Sequence, residues 1–440
     1  MSPTRFFIQT LGCPKNEADS DRLDRALRAA GLLRGRPGDA DVVVVNTCGF
    51  IDAAKEESID ALLDAAAAAH ARGARIAAVG CLVERYRPEL EAELPEVDLW
   101  CGLDWGPLIA ALATRADREA ADGVRGGAAR GGAERLPARR EPRRPRPVHA
   151  YVKVSDGCDR RCAYCAVPLI KGDYETVPPA AILADAAAAL AAGARELVLV
   201  GQDTSRWSWP EWGGLERLLA ELKALGPAWL RLLYLQPDGV DDCLLEALAA
   251  HAVPYADLPL QHAAEGVLRR MGRTGDGDTY LALLDRVRRA LPGVAVRSTF
   301  IAGFPGETEA DVDTLLAFVA GAQLAVAGVF VFDAQEGTRA AAMPGQVPMQ
   351  LRLERAARVG EAIDEAAAGH WSGFIGRELD VLVERGSGRP DGEAVGRLAV
   401  QAPDIDGRTL LSGRPVRRGQ LVSARVVGTL GYDVMATTGD

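Results

Sequence analysis

Three cysteines crowd into one short stretch, Gly157-Cys-Asp-Arg-Arg-Cys-Ala-Tyr-Cys-Ala166, so that Cys158, Cys162 and Cys165 have the spacing Cys-x3-Cys-x2-Cys. Three thiolates on one loop can hold three irons of a cubane cluster and leave the fourth iron open to another ligand. A structural zinc instead wants four nitrogen or sulfur ligands, usually closed by a second pair, and no second Cys-x2-Cys or His pair follows. Cys13, Cys48 and Cys81 are far apart, yet each stands just after a strand candidate. In a parallel sheet those three positions share one edge, the carboxyl ends of the strands. The neighbouring Gly12, Gly49 and Gly80 would let the backbone approach a bulky ligand. Buried free thiols are the alternative, since cysteine is often a core residue. Recurrence at one topological position argues instead for a second three-cysteine cluster. Cys101 and Cys243 read as inert buried thiols.

These thiols need a scaffold, and the sequence supplies alternating strand and helix signals. Residues 5–10, 41–46 and 75–79 are short apolar or β-branched runs, with a fourth at 97–101. Helical spacing fills 16–30 and 51–72. Such alternation predicts a parallel sheet covered by helices. From residue 115 to 147 Gly, Ala, Arg and Pro dominate and the apolar pattern fades, which reads as a flexible linker. A nucleic-acid-binding arm is the sharper reading, weakened by interspersed Asp and Glu. Alternation resumes with strand candidates at 148–154, 196–200, 230–234, 255–260, 294–301 and 325–332. That is a partial barrel of six strand–helix units, two short of eight. The Cys158 triplet follows its first strand and so lies at the carboxyl end, where barrel active sites form. A long helix at 350–369 leads to an all-β ending with strands at 378–384, 393–400, 421–427 and 432–435, the pattern of a small barrel.

With 440 residues, 48% of them hydrophobic, the chain is long enough for about three domains and too apolar to be disordered. A net charge of −10 argues against coating nucleic acid through bulk charge. No apolar run reaches the length of a membrane-spanning helix, and the amino terminus enters a strand-like run without an apolar leader. The expectation is a cytoplasmic protein, in which eight cysteines serve metal or catalysis and not disulfides.

The Cys158 triplet, with an aromatic residue before its last cysteine, resembles the radical S-adenosylmethionine superfamily. The two triplets in this order resemble its methylthiotransferase family. Other matching stretches are Tyr255–His262, Met271-Gly-Arg273, Phe300–Thr308 and Glu336-Gly-Thr338. The resemblance implies a mixed α/β chain of three parts: a cluster domain (4–114), a radical S-adenosylmethionine barrel (148–373) and a small all-β TRAM domain (374–440). It implies two 4Fe-4S clusters, one on Cys13, Cys48 and Cys81, the other on Cys158, Cys162 and Cys165. The second would cleave S-adenosylmethionine, and the first would carry the methylated sulfur. Gln202 and Asp203, ending the second barrel strand, and Gln261, ending the fourth, are the cofactor-binding candidates. Asp203 could equally cap a turn, His262 could be purely structural, and Glu307 could serve a strand-to-helix turn as well as the cofactor.

Leu11-Gly-Cys-Pro-Lys-Asn16, Asn46-Thr-Cys-Gly-Phe-Ile51 and Gln401–Gly407 resemble the branch that adds a methylthio group to the β-carbon of an aspartate in small-subunit ribosomal protein S-twelve. That protein is the expected partner. The alternative within the family is a tRNA (adenosine) methylthiotransferase, and outside it an iron–sulfur electron carrier. Asp404 and Asp406 read as a solvated acidic turn that steers a basic ribosomal protein and repels RNA. Departures from the family pattern are Lys171-Gly172 in place of Arg-Gly, Thr176-Val177 in place of Ser-Arg, and extra tryptophans at 207, 209 and 212.

Overall fold

The computed structural model describes residues 3–113, 147–389 and 392–439. The linker expected at 115–147 lies outside them except for its last residue. The chain divides into two compact units, Met1–Arg146 with Leu169–Lys171, and Pro147–Pro168 with Gly172–Asp440.

The first unit is a parallel sheet in the order β2-β1-β3-β4-β5, formed by Arg5–Thr10 (β1), Leu33–Arg34 (β2), Val42–Thr47 (β3), Arg75–Gly80 (β4) and Leu99–Trp100 (β5). All six residues of β3 are buried, as expected of a central strand covered on both faces. Alternate residues feed two cores. Val42 and Val44 join Phe6, Leu23 and Leu27 on one side. Val43 and Val45 join Leu62, Ile76 and Leu82 on the other. The covering helices are Pro14–Ala29 (α1), Asp52–His70 (α2) and Cys81–Glu93 (α3). The edge strand β2 is only two residues long and escapes a periodicity reading.

The second unit holds six parallel barrel strands. His149–Lys153 (β6), Glu196–Val200 (β7) and Trp229–Leu232 (β8) form one ladder. Tyr255–Asp257 (β9), Ala295–Ala302 (β10) and Val326–Val331 (β11) form another. The two ladders meet where the Tyr234 amide donates to Asp257 Oδ2 at 2.9 Å and the Leu235 amide to the Asp257 carbonyl, also at 2.9 Å. Helices Pro179–Ala191 (α4), Leu215–Ala224 (α5), Asp242–His251 (α6), Glu265–Met271 (α7), Gly277–Ala290 (α8) and Glu309–Ala322 (α9) cover the strands. Local chemistry sets several helix starts. Asp241 and Asp276 accept from the Leu244 and Thr279 amides, and Thr308 with Asp311 closes a capping box. Trp207, buried with its Nε1 on the Val177 carbonyl, packs edge-on against Trp212. The extra tryptophans therefore strengthen the outer core.

After Met349–Ser372 (α10), strands Glu378–Arg385 (β12), Ala394–Leu398 (β13), Thr409–Gly413 (β14), Leu421–Leu430 (β15) and Asp433–Thr438 (β16) close a barrel in the order β12-β13-β14-β16-β15. Four of these strands are legible in the sequence, and β14 is the fifth. Among the described residues no helix is long and apolar enough to cross a membrane.

Candidate functional site

Each of the first three cysteines sits where a strand hands over to the next segment. Cys13 is the N-cap of α1, Cys48 directly follows β3, and Cys81 is the first residue of α3 after β4. Helix amino termini at Cys13 and Cys81 bring a positive dipole end to the thiols, which favours thiolate ligands. The loops are tied by side chains that periodicity does not reveal. Asn16 Nδ2 donates to the Leu11 and Thr47 carbonyls at 2.9 and 3.1 Å. Asn46 Nδ2 donates to the Asn16 carbonyl and to Ser20 Oγ. Ser58 Oγ bridges the amide and carbonyl of Cys48, each at 3.0 Å. Within this unit the Lys171 ammonium, itself buried, lies 3.5 Å from Asp19, so the lysine that replaces an arginine keeps an ion pair.

The three thiols form one group, since Cys81 senses the charge of both Cys13 and Cys48. Burial pushes the Cys81 thiol up to about 12 and raises Cys48 as well. Thiols so desolvated ionise readily only against a cation, which fits a metal-cluster cradle better than a nucleophile. The cradle leaves no spare room. A Cβ on Gly12, at φ +86°, would stand 2.7 Å from Cys48 Cβ and 3.0 Å from its Sγ. A Cβ on Gly80, at φ +99°, would stand 2.4 Å from Asn46 Oδ1. Cys101 is buried in the core, as expected. Cys243 is not: it lies exposed on α6, because helical spacing turns it away from the buried Leu244 and Leu245.

The second triplet occupies one loop at the carboxyl end of β6, and all three of its cysteines are half-buried. Burial raises the Cys158 thiol. The loop is held from several sides. Arg160, between the first two cysteines, donates to Asp203 at 2.6 Å and to Asp238 at 2.7 Å. The Ala163 amide donates to the Met271 carbonyl, and the Ala163 carbonyl accepts from the Ala340 amide, each at 2.8 Å. Arg339 Nη2 donates to the Arg161 carbonyl at 2.7 Å. Met271, in the first of those matching stretches, and Arg339-Ala340, just after Glu336-Gly-Thr338, thus hold this loop. Sequence spacing alone does not reveal it.

The other candidates divide. Asp203 is fully buried, and its oxygens receive Arg160, Ser205 Oγ at 2.6 Å and Arg206 at 3.7 Å. Gln202 is half-buried beside it. Gln261 has a left-handed backbone (φ +72°) that bonds across to Thr299 and Ile301. His262 is fully buried, with Nδ1 accepting from the Ala264 amide and Nε2 3.4 Å from Glu307. Both oxygens of Glu307 accept from the Gly303 amide, and Arg355 bonds the same carboxylate at 3.1 Å. Glu307 therefore fixes the turn after β10.

The opposite, amino-terminal halves of the barrel strands are closed by charge. Glu196 on β7 is fully buried between Arg231, at 2.7 Å, and Arg397 from the small barrel, at 2.6 Å. Burial would raise its carboxyl, but Arg397 and Arg231 outweigh this and hold it low. Tyr255 donates to Asp406 at 2.7 Å, and Arg297 lies 2.9 Å from Asp257 and 3.6 Å from Asp406. Tyr151 and His149 each place an atom 3.1 Å from Asp404 Oδ2. This overturns the reading of a solvated acidic turn for Asp406, while Asp404 keeps its side chain 56% exposed. Asp406 has no exposed side-chain surface, its carboxyl is raised by burial, and Asp404 is bonded to the barrel. Asp406 docks the small barrel against the large one, and Asp404 bonds Tyr151 at the edge of that contact. Periodicity and composition cannot separate a docked aspartate from a solvated one.

Comparison with known proteins agrees with this architecture. Residues 5–102 match the uncharacterized protein family UPF0004, 152–319 the radical SAM superfamily and 375–438 the TRAM domain. Among solved structures, the radical S-adenosylmethionine methyltransferase TsrM from Kitasatospora setae shares the fold, with a TM-score of 0.51 at 16% identity over 75% of each chain. A ribosomal protein uS12 methylthiotransferase RimO from Moorella thermoacetica is 40% identical, covering 96% of this chain and 96% of its own. One from Anaeromyxobacter sp. (strain Fw109-5) is 39% identical over 99% of this chain and 93% of its own. This chain belongs to the ribosomal protein uS12 methylthiotransferase RimO family.

Proposed function

We propose that the chain is a methylthiotransferase that adds a methylthio group to the β-carbon of an aspartate in ribosomal protein uS12. The observation that carries the mechanism is the pairing of two three-cysteine sites, each at the carboxyl ends of parallel strands. Cys13, Cys48 and Cys81 would hold one 4Fe-4S cluster, and Cys158, Cys162 and Cys165 a second. Together with S-adenosylmethionine these groups supply one-electron chemistry able to functionalise an unactivated C–H bond, which acid–base catalysis does not reach. The protein's share is placement. Three side-chain ligands leave one iron open at each site. Arg160, Asp203 and Asp238 fix the loop that carries the second site. Gln202 and Gln261, which follow β7 and β9, would orient the cofactor, and Asp203 would support the cluster loop through Arg160. The ionic layer of Glu196, Arg231 and Arg397 closes the barrel's other end against water.

Docking of Asp406 weakens one sequence argument against an RNA substrate, so the preference for protein rests on the relatives. Mass spectrometry of uS12 and of tRNA from a deletion strain tests it. Loss of the methylthio group from uS12 alone is expected. Loss from tRNA with uS12 unchanged would overturn the reading.

A further inference from the structure

Alternation along β6 divides its residues between two faces. Val152 and Val154 join the core that holds Ile182 and Ala186 of α4. Lys153 therefore points the other way, into the barrel's interior, where its side chain is only 3% exposed. Its register partner on β7 is Val200, itself fully buried, so an apolar residue flanks the ammonium at the carboxyl end of the strands. Lys153 Nζ donates to Asp156 Oδ2 at 2.7 Å, and Asp156 Oδ1 accepts from the Gly157 amide at 3.1 Å. That carboxylate keeps about a third of its side chain exposed. The deeper charges have partners within the scaffold: Glu196 faces Arg231 and Arg397, and Arg297 faces Asp257. Lys153 instead stands just before the Cys158 loop. The wall of strands ends at β6 on one side and at β11 on the other. On β11, Ala327 and Val329 pack on the core, while Phe330, on the opposite face, is 53% exposed. The interior is thus reachable from that edge.

We propose that Lys153 binds the carboxylate of the substrate aspartate and so fixes its β-carbon beside the second site. The inference rests on the reading of uS12 as the substrate. Reaction at one unactivated C–H bond requires that the residue bearing it be held still. The carboxylate next to that carbon is the strongest handle the residue offers, and an ammonium in a desolvated setting grips it more tightly than one in water. Folding alone does not account for the lysine, since apolar residues of the same volume match or better a buried ion pair in stability. An ammonium has three donor hydrogens, so Asp156 can keep one while the substrate takes another. An amide in place of the substrate carboxylate would offer no charge to meet it. No bond to Lys153 is made or broken; it is a binding residue that sets specificity.

The test compares two ligands of the anaerobically reconstituted full-length chain: unmodified uS12, and uS12 with asparagine at the modified position. Calorimetric titration gives the two dissociation constants. The parent is expected to prefer aspartate by at least about tenfold, the scale of one hydrogen bond to a charged group. Lys153→Gln should bring the ratio close to one by weakening the aspartate form alone. A loss of packing would weaken both forms alike and leave the ratio unchanged. That outcome overturns the proposal, as does a parent without the preference. Iron content is measured for every variant, and if Lys153→Gln fails to keep its iron, Lys153→Met decides by the same ratio. A Lys153→Gln protein that keeps the preference but binds S-adenosylmethionine more weakly would assign the ammonium to the cofactor's own carboxylate, and so also overturn the proposal. A parent that binds neither form of uS12 would refute the function reading, and this inference with it.

Discussion

The two cysteine sites solve one problem in opposite ways. The first is assembled by the sheet: its thiols come from three strand ends and share nothing locally except adjacent glycines and the Asn16–Asn46 ties. The second is a single loop, pinned by the side chains of Asp203, Asp238 and Arg339 and by backbone bonds to Met271 and Ala340. A site built by the fold is protected by burial and is sensitive to any change in backbone packing. A site built on a loop is legible as a motif and depends on its clamps.

The largest effects break this comparison outright. Cys162→Ala should abolish cleavage of S-adenosylmethionine and about halve the iron of anaerobically reconstituted protein, which would fall from about eight to about four atoms. Cys48→Ala should lose the other half and abolish methylthio transfer while retaining uncoupled formation of 5′-deoxyadenosine. Iron analysis and product chromatography report both. If Cys48→Ala silenced cleavage with the barrel cluster intact, the two sites would not be separable in function.

Next comes the barrel's closed end. Arg397→Met strands Glu196 beside a single arginine, and breaking a buried pair in this way costs about 3–5 kcal/mol. The expected result in a denaturant melt is a destabilised barrel, with the first site's iron retained under native conditions. Equal loss of iron from both sites would show that neither unit holds its site alone.

A smaller change sharpens the contrast. Gly12→Ala forces a Cβ against Cys48 at a left-handed backbone position, which costs about 1–2 kcal/mol for the conformation before any clash. It should slow iron uptake at the first site only. Asp203→Asn loosens the loop clamp, weakening charge-assisted bonds worth about 1.5–3 kcal/mol, and should raise iron loss from the second site only. Crossed effects in either variant would erase the distinction drawn above.

The smallest expected effect is on acid stability. The Asp404 carboxyl is held below its ordinary value, chiefly by the hydrogen bond with His149. A depressed folded pKa contributes stability above the unfolded value, near 3.8, and loses it as pH falls through the folded value. The stability difference between the parent and Asp404→Asn should therefore shrink from pH 6 to pH 3 in urea melts. A difference independent of pH would leave Asp404 with only a turn-forming role, consistent with its φ of +65°.

Much of the scaffold is legible in the residues because it rests on short-range pattern. The runs at β1, β3 and β4 and the six barrel strands follow from apolar and β-branched periodicity, and the cysteine positions follow from them. What escapes is long-range. The sequence cannot say that Asp406 meets Tyr255 across 151 positions, or that Arg397 meets Glu196 across 201. It cannot say that β9 ends at Asp257 because the chain then turns through Gln261. Nor does it show that Cys243 faces outward. In each case the partner is chosen by topology.

The shared ionic layer also has a meaning in time. During synthesis the chain emerges with Glu196, Arg231 and Arg297 long before Arg397 and Asp406 are made. Until those last residues arrive, Glu196 has only Arg231 and Arg297 only Asp257, so the ionic layer is half built. The full ionic layer of the large barrel therefore forms only after the small one is translated, and a chain cut short before residue 397 would lack it.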